Sequence, residues 1–159
     1  MEAEMKIRRF LALCIGALFI SPADSQTVPL LDRKRTEDVC EVALRYLFAH
    51  DGPEGAKAIC ISTTVSLPLH FIDRFAGNNP PVVWSIECTS DQWAGSKYMK
   101  TNEPAVLIKI IDIRWINSKE VHVKGGSVRG DFVRPPMSMR IVERNGRWLV
   151  EQDKSEGHS

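Results

Sequence analysis

The alternation of apolar and polar residues is strongest between residues 105 and 151, where it predicts two β-hairpins. The first is AVLIKIIDIRWI-NS-KEVHVKGGSVRG, with Asn117-Ser118 as a two-residue turn. The second is MSMRIVER-NG-RWLVEQ, and its Asn145-Gly146 turn is the stronger pattern, because both residues accept the positive φ of a type I′ turn. These residues therefore predict an antiparallel sheet around which the rest of the chain folds.

Counting outward from each turn predicts which residues face each other across the strands. In the first hairpin the predicted pairs are Asp112 with Val123, Ile113 with His122, Arg114 with Val121 and Trp115 with Glu120. In the second hairpin they are Glu143 with Trp148, Val142 with Leu149, Ile141 with Val150 and Arg140 with Glu151. Gly125-Gly126 predicts a bulge or a sharp bend in the second strand of the first hairpin.

The first strand of this sheet, residues 105–116, is apolar on both faces. The predicted register places Asp112 and Arg114 on one face, together with the apolar residues Val106, Ile108, Ile110, Val121 and Val123. The opposite face carries Leu107, Lys109, Ile111, Ile113, Trp115, His122 and Lys124. Such a strand is expected to be central and either covered on both sides or curled around a cavity.

Upstream of the sheet, apolar residues recur at helical spacing. Thr36 is a good N-cap, and a helix is predicted from there to about His50, with one apolar stripe formed by Val39, Cys40, Ala43, Tyr46 and Leu47. Residues 55–65 fit either a short helix or a strand, and a short helix is predicted. Residues 66–77 predict another helix that ends at Gly77. Residues 82–89 predict the first strand, and residues 90–104 a long loop.

The N-terminal residues have the pattern of a secretory signal peptide. Lys6, Arg8 and Arg9 precede an apolar run over residues 10–20, and Ser21-Pro22-Ala23 supplies the small residues of a cleavage site. As a helix that run would rise only about 16 Å, short for a bilayer core of roughly 30 Å. Cleavage after Ala23 is therefore predicted, and a permanent membrane anchor is the alternative.

Chain length and this pattern together predict one domain after a cleaved leader, in a secreted or periplasmic protein. The predicted divisions are a signal peptide over residues 1–23, an extended arm over 24–35, a single α+β domain over 36–152 and a frayed tail over 153–159. In that domain the N-terminal helices pack on a strongly curved antiparallel sheet.

The charge balance limits the classes of partner that the protein is expected to bind. Removal of residues 1–23 takes three basic and two acidic residues from totals of 21 and 20, which leaves 18 of each. A neutral chain without a basic run has no electrostatic basis for binding nucleic acid or an anionic membrane surface. The sequence therefore predicts a small apolar molecule or a protein as partner, allows a homodimer through the sheet, and predicts no cofactor.

Three cysteines remain after the predicted cleavage, and an oxidising compartment permits a disulfide between two of them. Cys40 lies on the apolar stripe of the first helix, where a free buried thiol is common, so Cys60 is expected to pair with Cys88. Three free thiols in the core are the alternative. None of the cysteines belongs to a CxxC motif or lies near a histidine in the sequence, so no metal site is predicted.

Asp112 and Arg114 are the most distinctive candidates for chemistry, since they project from an otherwise apolar face. A carboxylate in such surroundings can act as a general base, with Arg114 holding an anionic substrate. The alternative is a structural pair at the rim of the sheet. Tyr46, on the helix, and Trp115, on the strand, are candidates for lining a pocket between these elements.

The order of the predicted elements and the closing hairpin VERNGRWLVEQ resemble those of a known fold. Helices followed by a curled antiparallel meander that ends in this hairpin look like the cone-shaped α+β fold of the nuclear transport factor two-like superfamily, over residues 36–152. The resemblance implies a cone with a pocket that holds a ligand or a catalytic site. The resemblance identifies no catalytic residues in this chain, and a fold alone does not assign a function.

Three functions follow as hypotheses. The first is non-catalytic binding, either of a small apolar molecule in the cone or of a protein on the open sheet face. The second is a small-molecule isomerase or hydrolase that uses Asp112 with Tyr46, and the third is an inhibitor of another exported protein. The space between the first helix and residues 105–116 discriminates among them, because a deep cavity favours a ligand or an enzyme and a filled one favours surface interactions.

Overall fold

The computed structural model describes residues 30–51, 54–91, 95–129, 132–133 and 135–155. The predicted signal peptide, residues 156–159 of the tail and Trp93 lie outside the described residues. The elements in chain order are α1 (Leu30–His50), β1 (Ala58–Thr63), a 3₁₀-helix (Leu69–Phe75), β2 (Val82–Trp84), a second 3₁₀-helix (Ser85–Glu87), β3 (Cys88–Asp91), β4 (Gly95–Tyr98), β5 (Glu103–Asn117), β6 (Glu120–Arg129), β7 (Phe132–Val133), β8 (Met137–Arg144) and β9 (Arg147–Ser155).

The protein has an α+β fold, as predicted, in which α1 packs on one open sheet. Within the described residues the main strand order is β2-β1-β5-β6-β8-β9. Off this path, β4 pairs with β5, β3 pairs with β4, and β7 pairs with β6. Strand β1 runs parallel to β2 and to β5, and the other pairs are antiparallel. Strand β5 is central, as its two apolar faces predict.

The helix α1 begins at Leu30, six residues before the predicted N-cap at Thr36. Part of the predicted extended arm is therefore helical. The residues from Leu30 to Arg35 are mostly good helix formers, and Arg33 pairs with Glu37 one turn later, at 3.6 Å. At the other end of the chain, β9 continues to Ser155, into the segment predicted to fray.

The short helix predicted for residues 55–65 is wrong, because Ala58–Thr63 is strand β1. Ile59 and Ile61 join the main core under α1, whereas Cys60 packs with Val83 and Leu107 on the other side. Both faces of the strand are thus buried, which removes the alternation by which a strand is recognised. A short continuous apolar run does not distinguish a buried strand from a helix.

The next predicted helix, over residues 66–77, forms as the 3₁₀-helix Leu69–Phe75. Its Phe71 and Phe75 are buried, and Gly77 follows with φ of 82°. The strand predicted over residues 82–89 is interrupted by the second 3₁₀-helix. The predicted loop over residues 90–104 instead contains part of a hairpin, in which β3 pairs with β4.

A clamp of charged residues fastens the first 3₁₀-helix to α1. Arg74 Nη1 donates to Asp38 and to Glu41 at 2.8 Å each, and Nη2 donates to Glu37 at 3.2 Å. Arg45 Nη2 returns a hydrogen bond from α1 to the carbonyl oxygen of Arg74 at 2.7 Å. This arginine clamp joins residues that are 33 to 37 positions apart in the sequence, so it is a tertiary feature.

Candidate functional site

The space between α1 and β5 is filled by side chains. On α1 the residues facing the sheet are fully buried, and these are Val39, Cys40, Ala43, Leu44 and Leu47. They belong to one continuous core cluster with the strand residues Val106, Ile108, Ile110, Val121, Val123, Met139 and Ile141. Among the described residues, buried core side chains thus occupy the region where the sequence allows a deep cavity.

The first hairpin departs from the predicted register by one residue. Its turn is Ser118-Lys119, with Asn117 paired to Glu120, and Asn117 Oδ1 accepts a hydrogen bond from the Lys119 amide at 2.8 Å. Farther along, the observed partners are Trp115 with Val121, Arg114 with His122, Ile113 with Val123 and Asp112 with Lys124. A second register shift lies between Ile110 and Asp112, opposite the predicted bend at Gly125.

The shifted register changes which residues share a face. Directly opposed residues in an antiparallel pair lie on the same face, and successive residues alternate. Asp112 and Arg114 therefore share a face with Lys124 and His122, and the predicted separation of these two pairs is wrong. The bulge between Ile110 and Asp112 also moves Asp112 away from the face that carries buried Ile110.

The face that carries these residues points away from α1, and we call it the outer face. On β6 and β8 its residues alternate with Val121, Val123, Met139 and Ile141, which are buried in the core on the α1 side. A groove of about 470 Å³ crosses β5, β6 and β8 here, and we call it the outer groove. It is lined by Asp112, Arg114, His122, Val123, Lys124, Ser138, Met139 and Arg140.

Arg140 is held at one side of the outer groove by two carboxylates. Its Nε and Nη2 donate to Glu120 at 2.8 and 3.1 Å, and its Nη1 donates to Glu151 at 2.8 Å. Hydrogen bonding to Arg140 lowers the pKa of Glu120, and the same contacts raise the pKa of Arg140. Arg140 and Glu151 form an ion pair, but the predicted register that places them directly opposite each other is wrong, because a register shift places Gln152 opposite Arg140.

Asp112 and Arg114 are both exposed, and neither forms a hydrogen bond or an ion pair with another described residue. The general-base hypothesis depends on an apolar environment around Asp112, which this exposed position does not provide. Arg114, in contrast, presents a guanidinium group that is open to a ligand. Its five N–H donors suit a planar oxyanion.

The other two predicted pocket residues lie elsewhere. Tyr46 stacks on His50 near the end of α1, with ring centroids 3.8 Å apart. Trp115 is opposite Val121, on the α1 side of the sheet, and its ring meets the edge of Trp148 at 5.6 Å. Neither residue lines the outer groove, so the four predicted site residues do not converge.

His122, Lys124, Ser138 and Arg140 line the outer groove and are absent from the predicted site. His122 and Lys124 could have been found only with the bulged register of β5. The alternation of Ser138 and Arg140 with apolar Met139 and Ile141 indicates that they lie on the face opposite the core. It does not indicate that β8 pairs with β6, which brings them to the outer groove.

The predicted disulfide is present between Cys60 and Cys88, which are 28 residues apart in the sequence. Cys40 is free and fully buried, also as predicted. Burial raises the pKa of the Cys40 thiol to about 12, with a further contribution from the charge of Glu37. Cys40 is therefore a core residue in chemical terms, since almost none of it is thiolate at neutral pH.

Over the part of the chain that is described, no three His, Cys, Asp or Glu side chains come together as a set of metal ligands. Among the described helices, none combines the length and the apolar character that crossing a membrane requires. Comparison of the chain with family models, with curated proteins and with solved structures gave no match.

Proposed function

We propose that this chain is an exported binding protein that holds a protein partner on the outer face of its sheet and catalyses no reaction. One observation carries the proposal: among the described residues, the side chains between α1 and the sheet are buried in one core cluster, whereas the outer groove is open and lined mainly by charged and polar side chains. Binding is therefore proposed at the outer groove and not inside the core.

Export is supported by two independent features. The leader over residues 1–23 has the charge and apolar pattern of a signal peptide, and the Cys60–Cys88 disulfide suits an oxidising compartment. The periplasm or the extracellular space is thus the proposed location. A helix that precedes an antiparallel meander and its closing Asn-Gly hairpin supports the proposed relation to the nuclear transport factor two-like superfamily.

The other hypotheses have less support from the geometry. A small apolar ligand in a cone needs a cavity where Leu44, Leu47 and Ile108 are fully buried in the core. An enzyme that combines Asp112 with Tyr46 needs two residues that lie on opposite sides of the sheet. An inhibitor of another exported protein would use the same outer face, so that hypothesis differs only in the identity of the partner.

Site-specific photo-crosslinking in cells that export the protein tests this proposal. A photoreactive amino acid at Leu149, which is 48% exposed on the outer face beside Val142, is expected to give one discrete adduct. The control position is Asp73, which is exposed on the first 3₁₀-helix away from the sheet. The captured protein is then purified, and its affinity is measured by calorimetry for the wild type and for the Arg114→Glu variant.

We expect charge reversal at Arg114 to weaken binding about tenfold or more, since Arg side chains commonly dominate interface energetics. The Asp73→Lys variant is expected to bind as the wild type does. Equal adducts from both positions, or an affinity that Arg114→Glu leaves unchanged, would refute the proposed binding face.

A further inference from the structure

The outer face carries a row of nitrogen-bearing side chains across three adjacent strands. Arg114 on β5 is opposite His122 on β6, which is opposite Arg140 on β8. Neighbouring strands lie about 4.8 Å apart, so the three side chains form a line across the outer groove. Asp112, Lys124 and Ser138 form the next row along the strands by the same register.

Two carboxylates beside the first row, those of Glu120 and Glu151, are already engaged. Glu120 receives two hydrogen bonds from Arg140 and lies 3.6 Å from His122 Nε2, and Glu151 receives a third hydrogen bond from Arg140. Arg140 is thereby fixed as part of the framework. Arg114, at the other end of the row, forms no ion pair with a carboxylate of the described residues. Arg114 is thus the arginine of this row that remains open to a partner.

We infer that the protein partner places an aspartate or glutamate carboxylate on Arg114, at this end of the outer groove. The inference rests on the proposed function and adds the chemistry of recognition. A guanidinium group offers two parallel N–H donors that match the two oxygens of a carboxylate, and His122 lies beside it to supply a further polar contact.

The surroundings of Arg114 explain why a protein side chain suits the site better than a free anion does. Ile116 is 47% exposed two residues farther along the same strand, and Leu149, three strands away on β9, is 48% exposed at the far side of the outer face. Apolar contacts of this kind at the rim exclude water from a central charged pair, which strengthens it.

The test uses a blocked tetraglutamate peptide as the probe and a blocked tetraglutamine peptide as the matched neutral control. In NMR titrations of the isotope-labelled protein, tetraglutamate is expected to shift the Arg114 Nε–Hε signal in a saturable manner, and tetraglutamine is expected not to. The Arg114→Gln variant is expected to bind tetraglutamate about fivefold more weakly or worse. Arg114→Lys, which keeps the charge but loses the planar fork, is expected to lie between the two.

The control variant is Lys57→Gln, which removes an exposed cation near the start of β1 and is expected to change the affinity less than twofold. Several outcomes overturn the inference. These are equal shifts with tetraglutamine, equal losses from Arg114→Gln and Lys57→Gln, and an equal response to inorganic phosphate at matched ionic strength. If the protein self-associates in sedimentation experiments and Arg114→Gln abolishes this self-association, the outer face instead binds a second copy of this chain.

Failure of this inference and failure of the proposed function give different results. If position 149 crosslinks a partner but tetraglutamate leaves Arg114 unaffected, the binding function stands and the carboxylate is wrong. If position 149 yields no specific adduct, the proposed function falls, whatever the peptide does.

Discussion

At the scale of single residues, Gly125 determines how closely α1 approaches the sheet. A Cβ atom at this position would lie 2.8 Å from Leu47 Cδ1 and 2.8 Å from the carbonyl oxygen of Lys109. The second contact is with backbone, which cannot rotate aside. Glycine is therefore required here by contact with the helix and with the neighbouring strand, and the adjacent Gly126 is not under the same constraint.

The Gly125→Ala substitution is accordingly expected to lower the free energy of unfolding by about 1–3 kcal/mol, the usual cost of overpacking a core. The matched control is Gly126→Ala, whose nearest atom is Pro136 Cα at 3.5 Å, an ordinary contact distance. Urea denaturation followed by tryptophan fluorescence measures both variants. Equal stabilities would contradict the close approach of Leu47 to β6.

At the scale of elements, the arginine clamp joins the first 3₁₀-helix to α1. Burial by itself raises the pKa of Glu41, but hydrogen bonds from Arg74 and Arg45 outweigh it and hold that pKa below its usual range. Two cation–π contacts reinforce the clamp, because the Arg45 and Arg74 guanidinium groups lie over the rings of Phe75 and Phe71. The clamp therefore combines charge with packing.

The clamp makes stability depend on pH in a defined direction. The pKa of Glu41 is lower in the folded chain than the ordinary value of 4.5, so the unfolded chain binds more protons as the pH falls. The stabilisation is complete above about pH 4.5 and is lost as the pH falls through the folded value. Urea unfolding at a series of pH values between 6 and 3 measures this loss.

Replacement of Arg74 by Gln is expected to flatten that acid dependence and to cost about 1–2 kcal/mol at neutral pH, since the pairs are only partly buried. The control is Arg33→Gln, because Arg33 is half exposed and 3.6 Å from Glu37. Its effect is expected to stay below about 0.5 kcal/mol. An acid dependence that persists unchanged in Arg74→Gln would rule out the clamp as its source.

At the scale of the whole molecule, the Cys60–Cys88 disulfide ties the interior strand β1 to the start of β3, across both 3₁₀-helices and β2. It closes a long loop whose residues Ile61, Phe71 and Phe75 are buried in the main core. In the chain-entropy account, such a cross-link stabilises the fold by restricting the unfolded chain.

Removal of both cysteines as the Cys60→Ala, Cys88→Ala double variant is expected to lower the stability by about 3–4 kcal/mol, the value for a loop of this length. Reduction of the wild type with dithiothreitol is expected to have a similar effect. Cys40→Ala serves as the control, since it removes a buried free thiol and should leave the response to reductant intact. A wild type that unfolds identically with and without reductant would contradict this role.

The sequence by itself determined the features that depend on local chemistry. Asn145 and Gly146 adopt the positive φ values of 52° and 74° that the turn predicts, and the first three pairs counted from it are correct. The helical stripe that contains Cys40, the pairing of the other two cysteines and the central place of β5 also follow from residue type and spacing.

Only the tertiary structure decided which residues share the outer face. Side chains on a strand alternate with a period of two, so a shift of one residue exchanges the faces. The register shift at Ser118-Lys119 lies in the turn between β5 and β6. The bulge before Asp112 lies opposite Gly125, where Leu47 of α1 approaches the sheet. Such contacts between distant residues produce no pattern in the local sequence. For the same reason Asp112, predicted on the apolar face, joins His122 and Lys124 in the outer groove.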